Sequence, residues 1–245
     1  ADAKRIQQLG ASESQISVLG NLKLIQPTPH TSLEISQLIS QIKSVWQNSP
    51  VLFIGSTHSG EDELLLPVYQ QLQIRHPNLK LIIAPRHPER FESVYTLLQQ
   101  QLGITAVAKR SVIQTLQSST QVILLDSIGE VTQLYSLATV VVVAGSFIWQ
   151  GGHNILEPMA CGVPVVTGPY MKNFEAITQL AHQYQALSQV KAVDQDTIFN
   201  CLDEVLSHLG KREVLAENAK KLLTEQETIL SKYKLALKKH LETTS

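Results

Sequence analysis

The chain has 245 residues, 43% of them hydrophobic and 17% charged, with a formal net charge of −1. That length accommodates one large domain or two small ones with a substantial hydrophobic core. A net charge so close to zero excludes a general electrostatic attraction to nucleic acid or to an anionic membrane surface.

The sequence contains two cysteines, Cys161 and Cys201, and both fall in apolar helical patterns. We expect buried free thiols rather than a disulfide, and hence a reducing compartment. We find no run near the roughly 20 apolar residues that span a bilayer, and no signal peptide. The opening residues ADAKRIQQLG are typical of the middle of a helix, so we expect a piece of a longer protein.

Two kinds of apolar pattern alternate along the chain. Short uninterrupted apolar runs predict strands that are buried on both faces, and apolar residues at helical spacing predict helices between them. Strands are predicted at 51–54, 79–84, 104–108, 122–125, 140–144 and 163–167, with an edge strand at 186–190. Helices are predicted at 1–9, 33–46, 64–74, 92–102, 173–183 and 195–209, with one or two more at 211–240.

This alternation predicts an α/β fold: a doubly wound, Rossmann-like parallel sheet of about six strands with helices on both faces. In such a sheet, ligands bind in the crevice at the carboxyl ends of the strands. The residues that follow each predicted strand are therefore the candidates for a binding site.

The first predicted strand runs into the loop Ser56-Thr57-His58-Ser59-Gly60-Glu61. Small and hydroxyl residues just before a helix can bind an anion through backbone N–H groups. Ser59 with Asp62 or Glu63 also resembles a capping box. The two interpretations are compatible, because a cap and a ligand site can share one loop.

The next predicted strand ends in Pro85-Arg86-His87-Pro88-Glu89-Arg90-Phe91. Arg86 follows the strand directly, so its guanidinium can reach into the crevice and offer a planar fork of donors to a phosphate or carboxylate. A lone arginine is otherwise a surface residue. Arg90 is expected to be structural and to pair locally at a helix start.

The strand at 122–125 is followed by Asp126-Ser127-Ile128-Gly129-Glu130. Glycine permits a ligand to approach closely, so the backbone groups of Ile128, Gly129 and Glu130 can read the edge of a nucleotide base. Asp126 alone is more often a turn or cap residue than a ligand.

The strand at 140–144 opens the stretch around which the chain is organised. Gly145 and Ser146 end the strand, and the loop that follows closes on Gly151 and Gly152. Glycines just before a helix let the backbone approach an anion, which the partial positive charge of the helix N-terminus favours.

A short helix is predicted from His153 or Asn154 to about Cys161. Asn154 can cap this helix or bind a ligand. Glu157 lies about one turn in, where its carboxylate suits the hydroxyls of a ribose better than a phosphate. The alternative is an ordinary capped helix on which Glu157 is a solvated side chain.

Four strings thus follow predicted strands in order: STHSGE (56–61), PRHPERF (85–91), DSIGE (126–130) and GGHNILEP (151–158), with CGVPVVTGP after the last. Together they resemble the 3-deoxy-D-manno-octulosonic acid (Kdo) transferases of lipopolysaccharide synthesis. The resemblance covers essentially the whole chain, as the second half of such an enzyme. The chain departs from the family pattern at Ile128, Val131, Ala144, Tyr170 and the run 148–150.

The resemblance implies the C-terminal, donor-binding domain of an inverting GT-B glycosyltransferase. It implies transfer of Kdo from CMP-Kdo to a lipid A precursor with release of CMP, without a metal ion or other cofactor. The lipid acceptor would bind through a preceding domain, at the cytoplasmic face of the bacterial inner membrane. This chain alone would be soluble and would bind no nucleic acid.

The same resemblance divides the chain into three expected parts. Residues 1–30 are expected to be a helix end and an interdomain linker, with the family's Gly20-Asn21-Leu22-Lys23 segment and the stiff Pro27 and Pro29. Residues 31–210 are expected to be the Rossmann-like nucleotide-sugar domain. Residues 211–245 are expected to be helices that pack back on the preceding domain.

The resemblance also assigns donor binding to the strand ends, with the acceptor-activating base, a carboxylate, in the first domain. We therefore expect this chain to bind nucleotide but to be inactive alone. His87 and His153 are candidates to touch the phosphate or the Kdo carboxylate, or else to be structural hydrogen-bonders. The candidate binding residues are Ser56, Thr57, His58, Pro85, Arg86, His87, Ile128, Gly129, Glu130, Ser146, Gly151, Gly152, His153, Asn154, Ile155, Leu156 and Glu157.

Other functions remain open from the sequence. One is a different GT-B enzyme that uses a UDP-sugar, either a glycosyltransferase or an epimerase, and competition between CMP and UDP would separate it. Another is a non-catalytic nucleotide-binding Rossmann module, which would never restore transfer when the other half is supplied. A structural domain without any ligand is a third.

Overall fold

The computed structural model describes residues 2–19, 32–113 and 116–243. By its internal contacts the chain divides into two units, residues 27–222 and a smaller unit of residues 1–26 and 223–245. The expected linker residues 20–23, Pro27 and Pro29 lie outside the described residues.

A parallel sheet of seven strands forms the centre of the larger unit, as far as the described residues extend. Its strands are β1 (Val51–Thr57), β2 (Lys80–Pro85), β3 (Val107–Lys109), β4 (Val122–Leu124), β5 (Val140–Val143), β6 (Val165–Thr167) and β7 (Ser188–Gln189). They lie in the order β3-β4-β2-β1-β5-β6-β7. The predicted α/β, doubly wound parallel sheet is confirmed. It has seven strands rather than about six, the last being a two-residue edge strand.

Helices connect the strands. They are α1 (Asp2–Gln8), α2 (Leu33–Trp46), α3 (Glu61–Arg75), α4 (Phe91–Leu102), α5 (Val131–Leu134), α6 (Leu156–Ala160), α7 (Glu175–Gln183), α8 (Gln195–Ser207) and α9 (Leu209–Thr243). Helix α9 is one continuous helix that begins in the larger unit and ends in the smaller one.

The core lies on both faces of the sheet because the β-branched central strands have no solvated face. All four residues of β5 are buried. On one face, Leu52 and Val142 pack in the same cluster as residues of α3 and α8. On the opposite face, the ring of Phe53 lies 4.8 Å from that of Tyr135. The two faces together hold β1 and β5 rigidly side by side.

Strand β1 lies between β2 and β5, so the chain proceeds from β1 to one side of the sheet and later crosses to the other. Gly55 near the end of β1 is opposite Ala84 on one neighbour and Val143 on the other. This is a topological switch point, where the loops diverge and leave a crevice at the carboxyl ends of the strands. The predicted site residues lie at this edge.

Two predicted helix starts are wrong. Helix α3 begins at Glu61 instead of 64, its N-cap is Gly60 with φ +86°, and no side chain caps it, so the capping box predicted at Ser59 does not form. Helix α6 begins at Leu156 rather than at 153 or 154. Its start is delayed because the Asn154 side-chain oxygen accepts a hydrogen bond from the Leu156 N–H at 3.1 Å, which forms a turn.

Both cysteines are free, as predicted, but they are half-buried instead of fully buried. Burial raises the pKa of both thiols. A raised pKa disfavours the thiolate, which is the reactive form.

Candidate functional site

A buried carboxylate joins the loops that follow β1 and β5. Glu61 is 0% exposed. Its Oε2 accepts hydrogen bonds from the backbone N–H of His58 at 2.9 Å and of Gly145 at 2.6 Å, and its Oε1 accepts from Phe147 at 2.9 Å and Ile148 at 3.3 Å. Charge-assisted bonds to a carboxylate are among the stronger hydrogen bonds in proteins. The two loops are therefore fixed to one another through a side chain that contacts no solvent.

Two histidines meet over this joint. The Nε2 atoms of His58 and His153 lie 2.8 Å apart. Gly145 makes room for the pair, since a Cβ at this position would lie 2.8 Å from the His153 Nε2. Burial lowers the pKa of His58 against the opposing effect of Glu61, and the charges of His87, Arg90 and Arg86 lower it further. Burial, the neighbouring His58 and then Arg86 lower the pKa of His153 to about 4.

Trp149 closes one side of the histidine pair. Its ring stacks on His58 with centroids 4.4 Å apart and an angle of 6° between the planes, and it lies 5.4 Å from the His153 ring. The side chain of Trp149 is 41% exposed. It therefore presents an aromatic surface at the mouth of the crevice.

Arg86 and His87 follow β2 and are both exposed. The His87 ring lies 5.2 Å from that of His58, and the charge of Arg86 acts on both His58 and His153. Among the described residues, no carboxylate forms an ion pair with the Arg86 guanidinium. The structure thus brings Arg86, His87, His58 and His153 together, with the donors of Arg86 open to solvent.

Arg90 has structural contacts, but its partners differ from the local pair that the sequence predicts. Arg90 bonds to the Asp62 carboxylate on α3 and to the Thr57 carbonyl oxygen at 2.6 Å, so it is not paired locally. The Thr57 hydroxyl donates to Asp62 at 2.6 Å. Thr57 is 0% exposed. Its side chain therefore holds the loop through this buried hydrogen bond and does not face the crevice.

Several other predicted residues are also interior. The Ser146 hydroxyl is buried between the Val143 carbonyl and the Gly168 N–H. Ile155 and Leu156 are 0% exposed. Pro85 is buried as the last residue of β2, while Ser56 is half-buried in a bulge with φ +62°. The structure gives these residues packing roles.

The two glycines do not open the backbone to an anion as predicted. Both Gly151 and Gly152 are buried. A Cβ on Gly151 would overlap the Trp149 ring, and a Cβ on Gly152 would lie 2.5 Å from the Met171 sulfur. Gly152 has φ +70° and is separated from α6 by three residues. These glycines permit close packing of the loop instead.

Glu157 is held by side chains on both sides. Its Oε2 accepts from the Thr132 hydroxyl at 2.7 Å, and its Oε1 accepts from the Asn154 side-chain amide at 3.1 Å. Thr132 is the second residue of α5, directly after the turn that contains Ile128, Gly129 and Glu130. The predicted ribose-binding and base-binding elements are therefore neighbours.

The turn after β4 has three backbone N–H groups without an acceptor among the described residues. Ile128 is 81% exposed, and Gly129 has φ +86°. In the described part of the chain, the N–H groups of Ile128, Gly129 and Glu130 donate no hydrogen bond. The Glu130 carboxylate accepts two bonds from the Arg110 guanidinium, each of 3.0 Å. This bidentate pair anchors the turn while its amides stay available.

The sequence did not predict four residues that support the candidate site. Glu61, Thr132, Trp149 and Arg110 were not predicted to shape the crevice. Only Glu61 carried a signal, because it belongs to the string STHSGE. Each of the other three has a partner 20 to 91 residues away in sequence: Glu130 for Arg110, Glu157 for Thr132 and His58 for Trp149.

Comparison with known proteins decides the family. The sequence profile described as "Glycosyl transferases group 1" matches residues 51–222. The chain belongs to the group 1 glycosyl transferases. A 3-deoxy-D-manno-octulosonic acid transferase of Haemophilus influenzae is 33% identical over 98% of this chain, and a probable mitochondrial one of Arabidopsis thaliana is 32% identical over 83%. The chain spans about half the length of these relatives, 55% and 46%.

One solved structure resembles most of this chain. The crystal structure of the C-terminal CMP-Kdo binding domain of WaaA from Acinetobacter baumannii matches with a TM-score of 0.69 and 33% identity. The match covers 78% of this chain and 99% of that domain. Anabaena HepE, solved with UDP and glucose, shares the fold with a TM-score of 0.58 at 18% identity, covering 95% of this chain and 59% of its own. The inferred resemblance to Kdo transferases and the GT-B fold are thereby confirmed.

Neither a membrane-spanning helix nor a metal-binding cluster occurs among the described residues. No helix there is both long and apolar enough to cross a membrane. No group of three or more His, Cys, Asp or Glu side chains in the same residues is placed to hold a metal ion.

Proposed function

We propose that this chain binds the CMP-Kdo donor of a Kdo transferase, in a longer protein that transfers Kdo to a lipid A precursor during lipopolysaccharide synthesis. The observation that carries the proposal is the alignment with 99% of a solved CMP-Kdo binding domain. The nucleotide subsites described below are consistent with it. We place the longer protein at the cytoplasmic face of the bacterial inner membrane, where such a lipid precursor is available.

The base and ribose of CMP fit between α5 and α6. The free N–H groups of Ile128, Gly129 and Glu130 offer donors to the acceptor atoms of a cytosine edge. Glu157 lies in the first turn of α6, where Thr132 and Asn154 hold its carboxylate. A carboxylate accepts hydrogen bonds from two vicinal hydroxyls, which is the chemistry of a ribose.

The phosphate of CMP fits against Arg86. Its guanidinium is a fork of donors matched to phosphate oxygens, and it is unpaired among the described residues. His87 and the His58–His153 pair flank it with ring nitrogens. In the proposed reaction the C–O bond between Kdo and the phosphate breaks, so negative charge develops on the phosphate. Donors already directed at that charge stabilise the transition state.

This chain supplies donor binding, while the base that deprotonates the acceptor hydroxyl is proposed to come from the rest of the longer protein. The charge on the leaving CMP is assigned to Arg86 and the ring N–H groups rather than to a metal ion. The chain by itself is therefore expected to bind CMP without transferring sugar.

The test uses a longer protein that contains this chain, supplied with CMP-Kdo and a lipid A precursor. We expect CMP release coupled to transfer of Kdo, with kcat/KM lowered about 100-fold in Arg86→Ala. Arg75→Ala, on α3 with its side chain 61% exposed, is the matched control and should leave turnover unchanged. Turnover of a UDP-sugar but not of CMP-Kdo would contradict the proposal, as would equal activity of the two variants.

A further inference from the structure

The carboxylate of Glu61 occupies the place of a bound anion. It accepts from four backbone N–H groups, those of His58, Gly145, Phe147 and Ile148, within 2.6 to 3.3 Å. Converging backbone N–H groups form an anion-binding concavity of the kind that holds phosphate in nucleotide-binding proteins. Here the anion belongs to the protein itself.

The concavity lies at the place in the sheet where a nucleotide phosphate would bind. The donors come from the loops after β1 and β5, the two strands that flank the switch point of the sheet. In open parallel sheets of this kind, the phosphates of a dinucleotide bind there, at a loop and helix N-terminus. In this chain the N–H groups that would receive a phosphate already have an acceptor, and Glu61 is 0% exposed.

The charge of Glu61 is not balanced by a contact with a cation. Within the described ranges, no Lys, Arg or His side chain forms an ion pair with it. A second phosphate pushed towards the loops would find no free donors and would approach a fixed negative charge. Like charges brought together disfavour the wrong ligand strongly.

We propose that Glu61 is a specificity-determining residue that fills the anion-binding concavity at the switch point, so that the site accepts a nucleoside monophosphate and rejects a diphosphate. This inference rests on the proposed function only for the identity of the nucleotide. The filling of the concavity by a carboxylate can be tested without any nucleotide.

The first experiment removes the internal anion and supplies another. Glu61→Ala deletes the two carbons and two oxygens that acetate contains. Thermal unfolding of this chain is measured in acetate and in chloride at equal ionic strength. We expect Glu61→Ala to unfold several degrees lower than the wild type in chloride, and acetate to restore at least about half of that difference.

Two variants serve as controls. Glu61→Gln keeps the concavity filled, so acetate should raise its unfolding temperature no more than chloride does. Glu63→Ala changes an exposed glutamate on the same helix and should behave as the wild type in both salts. An acetate effect that is the same for Glu61→Ala and Glu63→Ala would overturn the inference, as would a Glu61→Ala chain that stays unfolded in acetate.

The second experiment measures specificity with CMP and CDP, which differ only in the second phosphate. We expect the wild type to prefer CMP by about tenfold or more, and Glu61→Ala to reduce this preference to about twofold or less. A preference that is equal in both proteins would overturn the specificity role. If the wild type bound neither nucleotide, the proposed function would fail, while the acetate experiment would still decide whether the concavity binds anions.

Discussion

The Nε2 atoms of His58 and His153 lie 2.8 Å apart across the switch point of the sheet. A contact of this length needs one ring to donate its Nε2 proton and the other to present a lone pair. The pair therefore carries at most one proton between those two nitrogens. Because burial lowers the pKa of both rings, the neutral pair is the form expected near neutral pH.

Protonation of His153 should destabilise the fold in acid. Its pKa is about 4 in the folded chain against an ordinary value of 6.5. Between these pH values the unfolded chain binds a proton at this histidine and the folded chain does not. The free energy of unfolding therefore falls as pH decreases from 6.5 to about 4. Allowing for partial solvent access, we expect a loss of about 2 kcal/mol.

Urea denaturation at a series of pH values measures this effect. His153→Gln should show a shallower decline of the unfolding free energy than the wild type over that window. His208→Gln, at an exposed residue directly after α8, controls for the loss of a histidine. Declines of equal slope in His153→Gln and the wild type would contradict the assignment.

Glu157 should make the site sensitive to the ribose 2′-hydroxyl. The carboxylate is fixed by Thr132 and Asn154 near the base-binding turn. We expect the wild type to bind CMP about tenfold more tightly than 2′-deoxy-CMP, and Glu157→Gln to lose most of that difference. Calorimetry with both nucleotides measures it, with Glu175→Gln on α7 as the control. Discrimination that survives in Glu157→Gln would exclude the ribose role.

Arg90 should stabilise the loop without binding the donor. Asp62 is 1% exposed, and burial raises its pKa against the hydrogen bonds of Thr57 and Arg90. Removing Arg90 leaves this carboxylate without its cation, so Arg90→Ala should lose about 3 kcal/mol of unfolding free energy. The Arg75 side chain that pairs with Asp203 is 61% exposed, and Asp203 keeps His76 as a second partner, so Arg75→Ala should lose about 1 kcal/mol or less. Similar urea midpoints for the two variants would refute this distinction.

Gly152 should be required for packing. Gly152→Ala places a Cβ 2.5 Å from the Met171 sulfur at φ +70°, so we expect a loss of about 2 kcal/mol or more. Gly210→Ala has open space in α9, and it should be neutral or stabilising by up to about 1 kcal/mol. Thermal unfolding of both variants tests this difference in stability. Equal unfolding temperatures for Gly152→Ala and Gly210→Ala would contradict the packing role of Gly152.

The layout of the sheet could be predicted because it depends on local patterns. Runs such as Val140–Val143 have no polar side, which forces burial on both faces. Helix α2 was predicted at its observed bounds, 33–46, because its apolar stripe is a local signal. The strand ends were therefore correctly identified as one edge, and the candidate residues converge there.

The roles of individual residues at that edge depend on contacts that no local pattern contains. Gly151 and Gly152 were expected to admit an anion, yet Trp149 and Met171 fill the space beside them. Glu61 was predicted only as the last residue of the loop after the first strand, yet its donors include Gly145, 84 residues further along the chain. The sequence predicted that the candidate residues follow the strands, and tertiary contacts determine which of their groups are exposed at the crevice.

The most direct test is calorimetric titration of this chain with CMP, UMP and UDP, alongside Arg86→Ala and the control Arg75→Ala. The account predicts that the wild type and Arg75→Ala bind CMP more tightly than UMP or UDP, and that Arg86→Ala binds it at least about tenfold more weakly. A wild-type chain that prefers UDP, or that binds none of the three nucleotides, would contradict the assignment of a CMP-Kdo site.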